Sequence, residues 1–133
     1  MGRFRYKGFQ TFIKDGCYWL SLCSIADDVR GTPVDLITAY NVTVEKGWVS
    51  PNAYIKDPCA ILQWLTKRKW SLRVEERVPD VVEDNEWTVL KYYNSRTGFT
   101  HFRRRDVDTL TSSTTVAEGK LVACYVFVDE GAE

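Results

Sequence analysis

Cys17 is the residue best placed by its neighbours to do nucleophilic chemistry. It follows Asp15-Gly16 and begins a segment with the spacing of an amphipathic helix. A helix N-terminus presents N–H groups without intrahelical partners and a partial positive charge, and both favour the thiolate, the form of cysteine that attacks carbonyl carbons. Gln10, shortly upstream, could donate a side-chain N–H to an oxyanion. Residues 10–17 therefore predict a thiol nucleophile with an oxyanion donor.

A cysteine nucleophile needs a base, and His101 is the one histidine in the sequence. The base in turn needs a third group that orients it. The first carboxylates beyond the strand that carries His101 are Asp106 and Asp108. We prefer Asp108, because Asp106 is expected in the tight connection itself, and Asp106 stays open as the alternative. The predicted catalytic residues are thus Cys17, His101 and Asp108.

Three helices are predicted in the first half of the chain. The first begins at Cys17, carries apolar residues at positions 18, 22, 25 and 29, and ends at Gly31. Thr32-Pro33 predicts the start of the second, with threonine as N-cap and proline at the first helical position, and Gly47 its end. Asp57-Pro58 repeats this signal for the third, whose C-terminus the cations at 67–69 would suit.

The second half has the composition of strands. Residues 71–78 and 87–94 are rich in β-branched and aromatic side chains, and the turn composition at 94–98 predicts a hairpin whose second strand carries His101. The nearly uncharged run 121–128 predicts a central strand. Helices followed by strands indicate an α+β fold in a single domain, residues 1–133, with a helical half of about 1–70 and an antiparallel sheet half of about 71–130.

Composition argues against several classes of partner. Eighteen basic and eighteen acidic residues give no net charge, so no global field favours nucleic acid or an anionic membrane. The basic run 103–105 alternates between the faces of a strand and is interpreted as a solvated strand end. No apolar run approaches the roughly 20 residues of a membrane helix, and the N-terminus lacks an apolar signal core. We expect a cytoplasmic protein that contacts neither nucleic acid nor membrane.

The cysteines do not form the close pairs that zinc sites use. We therefore expect reduced thiols, with no metal and no cofactor, and three of the four as core residues. Cys23 faces away from Cys17 on the first helix and is assigned to the core. The sequence holds these four cysteines: Cys17, Cys23, Cys59 and Cys124.

Aromatic residues are abundant and have two interpretations. Most are expected in the core, but a subset could line a substrate cleft between the helical and sheet halves. Tyr92 and Tyr93 must point to opposite faces of their strand, so one of them approaches the strand of His101. The predicted substrate-binding residues are Tyr18, Trp48 and Tyr93.

These motifs together resemble the papain-like cysteine peptidase superfamily. The chain has Asp15-Gly16-Cys17 at a helix start, then Thr100-His101-Phe102 on a strand, then an acid. Within that superfamily it resembles the compact bacterial group similar to bacteriocin-processing cysteine peptidases, with related small proteins of phages and spirochaetes. Those relatives share a Gly-Cys-Tyr start, a Gly-x-x-His-Phe element, and an Asp followed by a Ser-x-Thr-Val-x-x-Gly-Lys-like tail, here residues 108–120.

The resemblance implies a papain-like fold and a role for each matching residue. Cys17 would be the nucleophile, His101 the general base, Asp108 the orienting residue and Gln10 the oxyanion donor. The implied function is a small thiol protease or amidase that acts on a peptide or protein through a thioester intermediate. The alternative is a catalytically inactive scaffold of the same fold, by which a phage or mobile element would bind and inhibit a host protein.

Overall fold

The computed structural model describes residues 16–104 and 119–132, which form three helices followed by four strands. The predicted α+β class with an antiparallel sheet is confirmed. None of these helices has the length and apolarity that crossing a membrane requires. In chain order the elements are α1 (Cys17–Arg30), α2 (Leu36–Glu45), α3 (Pro58–Thr66), β1 (Arg68–Glu75), β2 (Glu86–Asn94), β3 (Phe99–Arg104) and β4 (Lys120–Ala132).

The described sheet has the order β1-β4-β2-β3, with every pair antiparallel. The prediction that the last strand is central is confirmed, because β4 lies between β1 and β2. The hairpin of β2 and β3 closes through the N–H of Gly98, which donates to the carbonyl oxygen of Asn94 at 2.8 Å. Gly98 has a φ of +75°, a conformation that glycine adopts without steric cost. This turn sets the register that pairs Tyr92 with His101.

Both faces of the sheet are buried near its centre, which explains why β4 carries so little charge. We call the surface that packs against the helices the helix-side face, and the opposite surface the far face. On the helix-side face the sheet packs against the apolar residues of α1, including Trp19 and Ile25. This face carries Phe102, Tyr125 and Phe127, whereas the far face has its own cluster of Leu90, Cys124 and Val126.

Two of the three predicted helix starts are correct. α1 begins at Cys17 and ends at Gly31, which has left-handed backbone angles and donates its N–H to the carbonyl oxygen of Asp27. α3 begins after Asp57, whose carboxylate accepts the N–H of Ala60 at 3.0 Å. It ends at Lys67, and β1 starts directly at Arg68, so the basic residues predicted to suit the end of a helix lie instead in the connection and the first strand.

The predicted start of α2 is wrong. Thr32 and Pro33 precede the helix, and Asp35 is its N-cap, accepting the N–H of Thr38 at 3.3 Å. The reason lies in the preceding helix, because the carboxylate of Asp27 accepts the N–H of Val34 at 2.7 Å. Val34 is thereby held against the end of α1 with its side chain buried, and the next helix can begin only after it.

The two candidate caps of α2 can be distinguished by mutation. Asp35→Ala removes the acceptor of the N-cap hydrogen bond and should lower the free energy of unfolding by about 1 kcal/mol. Thr32→Ala is the matched control, and it should change that free energy by less than about 0.5 kcal/mol because Thr32 is an exposed loop residue. Urea denaturation followed by circular dichroism measures both values. A larger loss for Thr32→Ala than for Asp35→Ala would contradict the cap assignment.

Candidate active site

The thiol of Cys17 lies against the outer strand of the sheet. The backbone N–H of Phe102 donates to Cys17 Sγ across 3.4 Å, which joins the first residue of α1 to the middle of β3. Because this N–H is directed to the sulfur, it points away from the neighbouring strand β2, and the sulfur sits at the outer edge of β3. Cys17 and the residue next to His101 are therefore in direct contact, although they are far apart in sequence.

A charged residue at the end of β3 makes a second contact with α1. Arg104 Nη1 lies 2.5 Å from Asp28 Oδ2 and 3.1 Å from Ser24 Oγ. Ser24 and Asp28 are one turn apart on α1, so the helix runs alongside β3 from Phe102 towards Arg104. The junction between α1 and β3 is thus held at two points, with the thiol at one of them.

Tyr18, predicted to line a substrate cleft, belongs to the packing of this junction. Its ring stacks on Phe102 with 4.4 Å between centroids and lies 5.7 Å from the ring of Tyr125. Burial holds the pKa of Tyr18 well above its ordinary value, and the nearby Tyr125 and Cys59 raise it further. The phenol therefore stays protonated at any physiological pH, and its part in binding substrate stays a prediction.

His101 is buried, with 5% of its surface exposed, and pairs with Tyr92 across the hairpin. Adjacent strand residues point to opposite faces, so His101 shares the far face with Tyr92 while Phe102 occupies the helix-side face. The thiol lies at the strand edge, between the two faces.

The remaining predicted site residues fall in different places. Tyr93 lies on the helix-side face near the end of the hairpin and is 42% exposed. Trp48 lies in the connection between α2 and α3, where its ring is 6.4 Å from that of Trp64 and 5.2 Å from Lys46 Nζ. Both assignments to substrate binding stay predictions. Gln10, Asp106 and Asp108 lie outside the described residues.

Cys17 and Cys59 both stand in the first turn of a helix, but their electrostatic surroundings differ. Gly16, the N-cap of α1, has no side chain to bind the first-turn N–H groups, and the first turn contains no acid. Cys59 follows the capping carboxylate of Asp57. Burial raises the pKa of the Cys59 thiol, and the negative charge of Asp57 raises it further. A helix N-terminus favours a thiolate only where no carboxylate already occupies it.

The other cysteines are less suited to nucleophilic chemistry. Burial, followed by the charge of Asp27, raises the pKa of Cys23 well above its ordinary value, and the prediction that Cys23 is a core residue is confirmed. Cys124 is buried in the far-face cluster. None of the four cysteines is in a disulfide, and within residues 16–104 and 119–132 no three potential metal ligands of the His, Cys, Asp and Glu types converge.

Residues 6–127 match the DUF261 family, described as a protein of unknown function. The chain belongs to this family. The match spans α1 to β3 and every candidate site residue from Gln10 to Asp108. No curated protein and no solved structure matches the chain. The segment that matches the DUF261 family therefore includes the whole candidate site, but the family description assigns no reaction to it.

Three groups near Cys17 were not predicted from the sequence. The basic run 103–105 was assigned to solvent, whereas Arg104 is half-buried and paired with α1. Ser24 and Asp28, spaced one turn apart on the polar side of α1, were the available signal. The N–H of Phe102 is a backbone group that no sequence pattern reveals. Lys91, opposite Phe102 in the hairpin, places Nζ 5.8 Å from the centre of that ring.

The electrostatic contrast between the two first-turn cysteines predicts an order of reactivity. Iodoacetamide should alkylate Cys17 faster than Cys59 at neutral pH, although Cys59 is the more exposed of the two. The reason is that burial and the charge of Asp57 raise the pKa of Cys59, whereas the first turn of α1 contains no acid. Peptide mapping by mass spectrometry after short exposures measures both rates. Faster alkylation of Cys59, following exposure alone, would contradict this assignment.

The effect of Asp57 on Cys59 predicts a separate change. Asp57→Asn keeps an N-cap but removes the negative charge, so the pKa of Cys59 should fall and its alkylation at pH 8 should accelerate several-fold. As pH rises, the variant should reach its maximal rate at a lower pH than the wild type. The rate at Cys17 serves as the internal control and should not change. An unchanged pH profile at Cys59 would refute the role of this carboxylate.

Proposed function

We propose that the protein is a small cysteine hydrolase of the papain-like kind, acting on a peptide or amide bond. Cys17 is the nucleophile, His101 the general base, Asp108 the residue that orients His101, and Gln10 the oxyanion donor. The observation that carries the proposal is the hydrogen bond from the Phe102 N–H to Cys17 Sγ. It joins the helix start of the nucleophile to the strand of the base, in the order that the sequence motifs require.

The reaction has two steps. Cys17 Sγ attacks the carbonyl carbon of the substrate while its proton passes to His101, which then delivers that proton to the departing amine. A water molecule, deprotonated by His101, hydrolyses the resulting thioester, releases the carboxylic acid and restores the thiol. The Phe102 N–H would stabilise negative charge on the sulfur before the attack.

The burial of the site indicates what kind of substrate it could take. Cys17 is only 4% exposed, so a rigid protein surface could not bring a carbonyl carbon to the sulfur. A short or flexible peptide segment could approach along the outer edge of β3. The exposed ring of Tyr93 stands on the helix-side face at the hairpin end and could contact such a segment.

The same burial supports a second candidate function. A cysteine that accepts a hydrogen bond inside the junction of α1 and β3 also serves a purely structural role. In that case the protein is an inactive scaffold that binds and inhibits a host protein. Tyr93 and Phe99, both exposed at the end of the β2–β3 hairpin, would then form part of the binding surface.

Acylation by an activated ester distinguishes the two candidates. p-Nitrophenyl acetate should release a burst of p-nitrophenolate close to one equivalent of protein, with the acetyl group found on the peptide that contains Cys17. Cys17→Ala should abolish the burst, because the nucleophile is lost. His101→Gln should slow it by roughly 100-fold or more, because general base catalysis is lost.

Cys59→Ser is the matched control for the burst experiment and should leave it unchanged. Circular dichroism verifies that each variant is folded. Acetylation spread evenly over several cysteines, or a burst of wild-type rate in His101→Gln, would exclude the hydrolase and favour the scaffold.

A further inference from the structure

Among residues 16–104 and 119–132, the strand β1 has one edge without a partner strand. It pairs with β4 on one side, and within the described sheet no strand lies on its other side. The backbone N–H and C=O groups of such an edge are a template for pairing with another chain, and proteins usually blunt it with charge, proline or a covering segment. The sequence of β1, Arg68–Glu75, contains no proline, and its charged residues are of both signs, so they can pair with one another across such an edge.

One face of this strand carries apolar side chains that are partly exposed. Leu72 is 37% exposed and Val74 59% exposed, and both lie on the helix-side face in the same row as the buried Trp70. On the far face the strand carries Lys69 at one end and Glu75 at the other. Exposed apolar side chains and charges of both signs therefore lie along the same edge of β1.

We propose that β1 pairs antiparallel with β1 of a second copy of this chain, about a twofold axis at Leu72. In this register Leu72 faces its own counterpart, and Trp70 of each copy faces Val74 of the other. Lys69 of each copy faces Glu75 of the other, so two ion pairs flank the apolar centre. Directly opposed residues of antiparallel strands are close enough for both kinds of contact to stabilise the pair.

Neighbouring registers are disfavoured by the same sequence. A twofold axis at Ser71 would oppose Lys69 to Arg73, and an axis at Arg73 would oppose that cation to itself. An offset of one residue would join the helix-side face of one copy to the far face of the other. A register centred on Val74 would oppose Arg73 to Glu75, but it would also oppose Leu72 to Glu76. The register centred on Leu72 matches apolar to apolar and cation to anion without such a mismatch, which is the self-complementarity that a twofold interface requires.

The charges needed for this pairing are accessible. Glu75 accepts a hydrogen bond from Arg73 Nε at 2.7 Å within its own chain, but both side chains are well exposed and the carboxylate has a second oxygen. Lys69 is exposed. The resulting dimer would be one continuous sheet with the two β3 strands at its ends. It leaves Cys17 at the outer edge of each half and does not depend on the proposed hydrolase function.

Sedimentation velocity of the full chain from about 1 to 200 μM tests the proposal, because a dimer of this kind should form within this range. Lys69→Glu alone and Glu75→Lys alone each oppose like charges twice, and each should weaken the dimer by about tenfold or more. An equimolar mixture of the two variants opposes glutamate to lysine at both sites and should restore the dimer. Leu72→Lys, which opposes two ammonium groups at the axis, should give monomer.

Val81→Lys is the matched control, since Val81 is an exposed valine outside the strands, and it should dimerise like the wild type. Circular dichroism verifies the fold of each variant. A wild type that stays monomeric at all concentrations would overturn the proposal. Dimerisation of Leu72→Lys at wild-type strength, or failure of the mixture to restore the dimer, would overturn this interface.

Discussion

The candidate site depends on how the helix α1 packs against the strand β3. α1 buries Trp19, Leu22 and Ile25 under the sheet, and this apolar burial supplies the main driving force for its position. Two polar contacts then fix where the helix lies along β3: the N–H of Phe102 on the thiol of Cys17, and Arg104 on Asp28. Burial is not directional, so these contacts, and not the core, determine which residue of β3 meets the start of the helix.

The aromatic stack beside the thiol has a comparable role on the helix-side face. Tyr18 follows the nucleophile candidate directly in sequence, and its ring packs against those of Phe102 and Tyr125, which also stack on each other. Stacked rings restrict rotation of the first turn of α1, which limits the positions open to Cys17 Sγ. A side chain interpreted as part of a cleft thus acts first as a rigid support for its neighbour.

Local signals predicted most of the fold but less of the site. Gly31, Asp57-Pro58 and the turn before Gly98 set their boundaries through backbone conformation and adjacent caps, which a sequence displays directly. The start of α2 was mispredicted because Asp27, a residue of another helix, binds the N–H of Val34. Arg104 was assigned to solvent for a similar reason, since its partners lie on α1. Contacts between elements distant in sequence were the ones that sequence reasoning could not supply.

The outer position of β3 has a consequence for the motions of the site. Within the described sheet β3 has a neighbour on one side only, so it loses fewer sheet hydrogen bonds when it separates than β4, which is paired on both sides. Local opening of a protein begins where few contacts must break together. The segment that carries His101 is therefore among the easiest parts of the sheet to displace, and amide hydrogens of β3 should exchange with solvent sooner than those of β4. Any chemistry at Cys17 would then take place beside a strand that has fewer sheet hydrogen bonds than β4.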